Sequence, residues 1–462
     1  MAICGRAPGF SEAVAVRLGG GRILEVLPAA RFRGRCRRFE AVTPGLADAH
    51  AHPLYWGRAR RVLDLSGLTD PRRVAERVAA HPEGGWVLGQ GFLFDAPPPP
   101  GLLAAAARGR PVFLKSRDLH AAWASPEALR RAGLAAGNPW LDAERGWVWE
   151  RGLAALEAAA PPPGPDDLIA GLRDFAARGY TAVHALAYEP REALAWAEAV
   201  ADELPVRLWW ALPRGGWRGV APGWRGPRLF VGGVKFFADG ALGSRTAWMK
   251  APYPDGGRGM ALDPLEAILT EGRAAARAGF QVAVHAIGTR AVAGVLGVLA
   301  RLPRLPGRPH RVEHLQHLED TDLPLLSGSG LVASMQPVHL AGDAPLVRRL
   351  LPGREREAFR FASIAARVPL AFGSDAPVAA PDPAASLAEA TRHRLTPAEA
   401  VPPSLALWAH TRGAAVAAGW PGYGLLAAGA PADLTLWEGG RPVARVFDGR
   451  LEELGGSPGA GA

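Results

Sequence analysis

Eight short apolar runs, each followed by a stretch of helical character, constrain this chain more than any other feature. They are VTPGLADAH (42–50), YTAVHAL (180–186), PVRLWWAL (205–212), FVGGVKFFA (230–238), FQVAVHA (280–286), HRVEHLQ (310–316), LVASMQP (331–337) and PLAFGSD (369–375). Most of the intervening segments are Ala/Leu/Arg-rich and long enough to return the chain across a sheet, as parallel strands require. Eight such units predict an α/β fold in which a (β/α)8 TIM barrel occupies residues 44–423. Between the first two runs the gap is too long for a single helix, and it holds the strand-like pieces WVLGQGF (86–92) and PVFLKSRD (111–118). An inserted subdomain is therefore expected at about 58–165. The two ends of the chain alternate polar and apolar residues between Gly-rich turns, and each is too short to form a stable sheet alone. Residues 1–43 and 424–455 are expected to combine into one small, composite, β-sandwich-like domain, with GGSPGAGA as a disordered tail.

Composition excludes several functions. No uninterrupted apolar run reaches the roughly 18 residues of a membrane span, and the opening MAICGRAPGF has Gly and Pro where a secretory leader would be apolar. The formal charge is +9, but the Arg residues are scattered at helical spacings and form no basic block interleaved with aromatics. Neither a nucleic-acid nor a membrane partner is expected, and homo-oligomerisation is left open. Cys4 and Cys36 are the only cysteines, too few for a disulfide framework, which fits a reducing, cytoplasmic location.

The site of a barrel of this kind lies at the C-terminal ends of its strands, and the unusual polar residues collect there. The first run ends Asp48-Ala49-His50-Ala51-His52, and the two-residue spacing places both imidazoles on one side of an extended chain. Such a pair can hold one cation at about 2.0 Å per ligand. His285, His314 and Asp375 lie at the tips of the fifth, sixth and eighth runs. Taken singly, each has an ordinary reading as a hydrogen-bonded core histidine or a turn carboxylate. Together they point to a site for one or two divalent metal ions. His and carboxylate donors suit Zn, while Fe, Mn and Co fit the same set.

Lys235 sits among Val231, Val234, Phe236 and Phe237, in a chain whose other lysines are Lys115 and Lys250 alone. A buried ammonium is costly. Unlike Arg, a desolvated Lys can become a neutral nucleophile, add carbon dioxide and present the two oxygens of a carbamate to two cations. The competing readings are a side chain that snorkels to the strand end or pairs with Asp239. Asp239, Ser244 and Arg245 follow the fourth run as candidates for the pocket floor. His184 and His339 are candidate substrate contacts at the mouth, and Asp48 is a candidate for orienting an imidazole. His81, His310, His393 and His410 read as surface or helix residues. Trp123, Trp147, Trp149 and Trp248 lie near presumed pocket segments and suggest a substrate with a bulky apolar substituent.

The stretches TPGLADAHAH, VKFFADGALGSRTA, VAVHAIG, RVEHLQ, GSDAPV and LLAAGAPADLTLW resemble the metal-dependent amidohydrolase superfamily, in particular the amidohydrolase family 3 branch that contains N-substituted formamide deformylase. The resemblance implies that His50 and His52 hold one metal, His285 and His314 a second, and a carboxylated Lys235 bridges them. It also implies that Asp375 is a ligand of the first metal and the general base, and that SRDLHAAWAS (116–125) brings His120 toward substrate. Thr289 and Ala376 depart from the branch, which usually has Asp and Trp at those places. The implied reaction is hydrolysis of an amide-type C–N bond, in an N-substituted formamide or related small amide, with a metal-activated water attacking the carbonyl. His120 or Arg245 would meet the charge on the carbonyl oxygen. The alternatives are a lactonase or other esterase, a ring aminohydrolase and a metal-binding protein without turnover. Deaminating relatives usually carry Glu where this chain has Gly288.

Overall fold

Strand β1 (Leu46–Ala51) is buried along its whole length and starts an eight-stranded parallel sheet. It continues through β2 (Tyr180–Leu186), β3 (Arg207–Pro213), β4 (Leu229–Phe237) and β5 (Gln281–Ala286) to β6 (Arg311–His314), β7 (Val332–Met335) and β8 (Leu370–Phe372). Neighbours pair in sequence order and in parallel, so each of the eight apolar runs contributes a strand. Backbone hydrogen bonds from Asp375 N to His50 O (2.6 Å) and from His52 N to Ala376 O (2.8 Å) join the ends of β8 and β1. The fold is thus a TIM-barrel-like α/β architecture, and its strands read as continuous apolar runs because helices cover the outer face. This computed structural model describes residues 1–82, 84–94, 96–186 and 190–455; the rest of the Gly-rich tail lies outside them.

Helix α1 (Pro53–Ala59) starts immediately after His52, with Pro at its first turn. It crosses α2 (Pro165–Ala177) at backbone distance: a Cβ on Gly57 would fall 1.8 Å from Asp167 O, and one on Gly171 would fall 1.9 Å from Pro53 O. The two glycines let the helices touch, which anchors the chain leaving the His50–His52 pair.

Between α1 and α2 a six-stranded sheet runs in the order Leu141–Asp142, Trp147–Trp149, Ala121–Ala124, Val112–Ser116, Val87–Phe92, Leu63–Asp64. Leu65, Val74, Val87, Phe92 and Trp123 pack one of its cores. The two chain ends share a single seven-stranded sheet, in which Arg37–Pro44 pairs with Leu434–Glu438, rather than two facing sheets. This sheet is tied to the barrel through charge. Arg207, at the start of β3, is paired with Asp433 (2.6 Å) and Asp448, and Arg445 donates to Tyr180 O and Pro205 O, both at 2.8 Å.

Cys4 and Cys36, too few for a framework, form a single disulfide with Cα atoms 5.9 Å apart. Their spacing in sequence says nothing of their proximity, which arises because the strands Ala2–Arg6 and Arg37–Pro44 pair. His310 and His393, read from the sequence as surface or helix residues, are buried and hydrogen-bonded; His410 lies on a helix, Ala409–Gly413, and is buried as well. Among the described residues, no helix is long and apolar enough to cross a membrane.

Candidate active site

The C-terminal ends of the barrel strands bring His50, His52, Lys235, His285, His314 and Asp375 to one place, and all six are buried. One ring nitrogen each of His50 and His314 and an oxygen of Asp375 lie within 4.8 Å of one another. Neither His50 Nε2 nor His314 Nδ1 makes a hydrogen bond, although both are buried. Two imidazoles converging with a carboxylate form the donor set of a divalent cation, so the residues present fit the metal that the sequence leads one to expect. Asp375 Oδ1 lies 3.1 Å from His52 Nε2 and 3.4 Å from His50 Nε2. The His285 ring centroid is 4.4 Å from that of His314, and Lys235 Nζ stands 4.8 Å from the centroid of the Phe237 ring.

Local backbone conformation creates this convergence. Along a regular strand, consecutive residues face opposite sides, so Glu313 and His314 should diverge. His314 and Leu315 instead adopt φ of 67° and 46°, which turns the chain and sends His314 over the barrel mouth while Glu313 stays inside. Asp375 has φ 61°. Residues held in this region cost of order 1–3 kcal/mol each and persist where the surroundings impose them. Gly373, just before Asp375, allows β8 to press against β1, since a Cβ there would lie 2.3 Å from His50 N and 2.8 Å from Asp48 Oδ1.

Beneath the site lies a polar layer that the sequence reading missed. His50 Nδ1 is 2.7 Å from Glu313 Oε2, and Glu313 in turn accepts from Arg311 Nε at 2.8 Å. Burial alone would raise the Glu313 carboxyl, but Arg311 and His50 outweigh it and hold the group well below the usual range. An ionised Glu313 can only accept, so His50 carries its proton on Nδ1 and turns a bare Nε2 toward the site. Burial, with the charge of Lys235 adding to it, pushes the His50 pKa down to about 4, which keeps the ring neutral. Asp375 is buried too, yet His50, His52 and His314 keep its carboxyl ionised well below the ordinary range. The one available signal for Glu313 was the acidic residue inside the apolar run RVEH, and strand alternation argued against it. Glu313→Gln should leave the barrel folded and weaken divalent-cation affinity by about 10–100-fold, measured by competition with a chromogenic chelator. Unchanged affinity would mean that Glu313 serves Arg311 alone.

Asp48 does not orient an imidazole side chain. It is buried and accepts from Ser374 N (3.0 Å) and His50 N (3.2 Å), joining β1 to the loop after β8; burial raises its pKa to about 7. His184 does not reach the mouth. It lies inside the barrel in the layer beneath, where Arg311 donates to its Nδ1 at 2.9 Å. Ala241, Leu242 and Gly243, in the segment after β4, line the cavity, but Asp239, Ser244 and Arg245 of the same segment do not. Asp239 accepts from the backbone N–H groups of Trp248 (2.8 Å), Ile287 (3.0 Å) and Gly288 (2.8 Å), binding the loops after β4 and β5 together. Ser244 bonds to Thr246 within its own loop, and Arg245 is half exposed and paired with Asp255, away from the site. The four tryptophans suggested for the pocket are also elsewhere: Trp123 is fully buried, with Trp147 packed over Phe92 and Phe94, and none of the four lines the site.

Two of the suggested substrate contacts do border the cavity. His120, carried by the six-stranded sheet, has its ring 5.6 Å from that of His285. Burial disfavours its charge, but Glu150, 3.1 Å away, outweighs burial and with Asp118 and Asp239 raises the pKa to about 9. His339 stands with Nε2 3.9 Å from Asp375 Oδ2 and 3.1 Å from Ser374 O. The cavity has two lobes, of about 230 and 310 Å³, which meet at Asp118, His120, His285, His314, Asp375 and Val378.

Comparison with known proteins agrees with this arrangement. YtcJ of Bacillus subtilis (strain 168) is 28% identical over 379 residues, covering 74% of this chain and 71% of its own length. The Arabidopsis thaliana protein LONG AFTER FAR-RED 3 is 29% identical, covering 88% of this chain and 80% of its own. The fold is shared with a structure from Pyrococcus horikoshii OT3 described as an uncharacterized metal-dependent hydrolase, at a TM-score of 0.78 and 22% identity over 94% of this chain and 97% of the other. It is shared more distantly with A. niger ochratoxinase, at a TM-score of 0.53 and 16% identity over 98% and 96%. The sequence profile of the amidohydrolase family matches residues 40–451, a span that holds every barrel strand and every residue of the converging site, and this chain belongs to that family.

Proposed function

We propose that the protein is a metal-dependent hydrolase of amide-type C–N bonds in a small-molecule substrate. The observation that carries this reading is the convergence of His50, His314 and the ionised Asp375 at the barrel mouth. In the proposed centre His50, His52, His285, His314 and Asp375 would hold one or two divalent ions, with Zn as the expected metal, and a carboxylated Lys235 would add oxygen ligands to them. Bound cations would supply Lewis-acid polarisation of the carbonyl and a water acidic enough to lose its proton near neutral pH.

The protein's own residues do the rest. Asp375, ionised at neutral pH, accepts a proton from the attacking water and delivers it to the leaving nitrogen. His120, held by Glu150, points a charged donor into the cavity where negative charge grows on the carbonyl oxygen. His339 sits beside Asp375 Oδ2, placed to steady the carboxylate or a substrate group next to it. Arg245 has no part in this scheme, because its guanidinium is turned to Asp255.

An ester carbonyl would suit the same groups, so the test is a paired panel of amides and matched esters on protein loaded with Zn, Mn or Co. Amide turnover exceeding that of the esters, relative to their uncatalysed rates, is the expected result. Turnover confined to esters would make the protein an esterase, and no turnover in metal-loaded protein would leave only a metal-binding role.

A further inference from the structure

We propose that the substrate is an amide with bulk on both sides of the scissile bond, its acyl chain lying along Leu153, Ala154, Phe237 and Leu262 and its amine beside Asp343 and Leu346. This rests on the amide-hydrolase reading above and sharpens it, because an N-substituted formamide has only hydrogen on its acyl side. The reacting groups border both lobes, His50, His52 and Lys235 lining the larger one alone. His285, His314 and Asp375 lie where the two lobes meet, so a carbonyl held there projects one substituent into each. The lobe assigned to the acyl chain measures about 310 Å³ including the space in front of the reacting groups, on the order of ten water volumes. A formyl group would leave it filled with solvent.

Charge decides which half goes where. Hydrolysis transfers the water oxygen to the acyl carbon, breaks the C–N bond and leaves an amine that takes up a proton, so the amine side ends cationic. In the larger lobe Glu150 is engaged by His120, Glu157 by Lys115, and Asp263 by Phe237 N and Arg214, while Asp118, at the border of both lobes, accepts from Ser116 Oγ and His120 N. Its outer wall is apolar, through Leu153, Ala154 and Leu262. In the smaller lobe Asp343 accepts from Arg117 at 2.9 Å and from Gln316 Nε2 at 3.0 Å, and Asp118 stands at the border with the larger lobe. Two carboxylates near its mouth, with Leu93, Leu242 and Leu346 beside them, suit an ammonium leaving group and its apolar substituent.

The experiment is a kcat/KM series on metal-loaded protein with N-benzyl formamide, acetamide, butanamide and hexanamide, together with the N-methyl amides. Wild type is compared with Ala154→Trp, which fills the acyl lobe, and Ala379→Trp, which fills the amine lobe. The expected result is a rise of at least about tenfold from formyl to butanoyl, erased by Ala154→Trp. Ala379→Trp should instead erase the preference for benzyl over methyl. A formamide turned over best by wild type, or the two variants acting on the opposite halves, would overturn the proposal while leaving amide hydrolysis intact. If no member of the series is turned over, the amide-hydrolase reading falls, and calorimetry decides the geometry by itself. Butanoate should then still bind protein saturated with benzylamine, and mutual exclusion of the two would sink the two-lobe placement.

Discussion

Asp375→Asn should leave a folded protein that retains most of its metal and has lost at least about 10³-fold in kcat, the upper range for a general acid–base group. The fold should survive because Asn tolerates the left-handed backbone nearly as well as Asp does, and position 375 has φ 61° with its N–H bonded to His50 O. What is lost is the proton acceptor. The carboxylate stands 3.1 Å from His52 Nε2 and is held ionised by His50, His52 and His314, whereas the amide that replaces it has no basic oxygen at neutral pH. The measurements are kcat on the best amide, metal per chain and the thermal melt. A variant with normal metal and a tenth or more of wild-type turnover would take the proton-transfer role from Asp375.

Lys235→Ala is expected to lower metal content from about two ions per chain to about one, with activity falling accordingly. Short carboxylic acids should partly restore both, by supplying the two oxygens that the carbamate would have provided. Lys235→Arg discriminates further. Arg keeps its charge and cannot be carboxylated, so it should bind metal no better than Ala and should resist rescue, since its own side chain occupies the place the acid would take. Lys235 is buried on β4, its Nζ over the Phe237 ring, so both variants need a melting curve to separate lost metal from lost fold. Full activity and full metal in Lys235→Ala would make the lysine structural.

The positions of the strands were legible because a parallel strand covered on both faces must be apolar throughout, and that signal survives without any tertiary information. All eight runs are strands of the barrel. The ligand candidates were legible for a related reason: polar residues at the ends of such runs stand out, and in a barrel every strand end points to the same mouth. His184 shows where this logic fails. It belongs to an apolar run like the others, but it sits below the rim of β2, in contact with Arg311 rather than with the cavity. The depth of a residue along a strand depends on barrel stagger, which composition does not report.

Asp239, Ser244 and Arg245 failed differently. A loop rich in polar residues next to a site looks the same whether it touches substrate or ties two loops together, and only the backbone N–H groups converging on Asp239 separate these. Glu313 and Glu150 were missed because each acts through a histidine distant in sequence, at separations of 263 and 30 residues. Periodicity and strand-end chemistry thus determined, from the sequence alone, that this chain is a barrel with histidines and an aspartate at its mouth. Tertiary structure alone decided which of them carry bare nitrogens, which carboxylate fixes each ring and that the cavity has two lobes, because these depend on contacts between segments that local sequence does not encode.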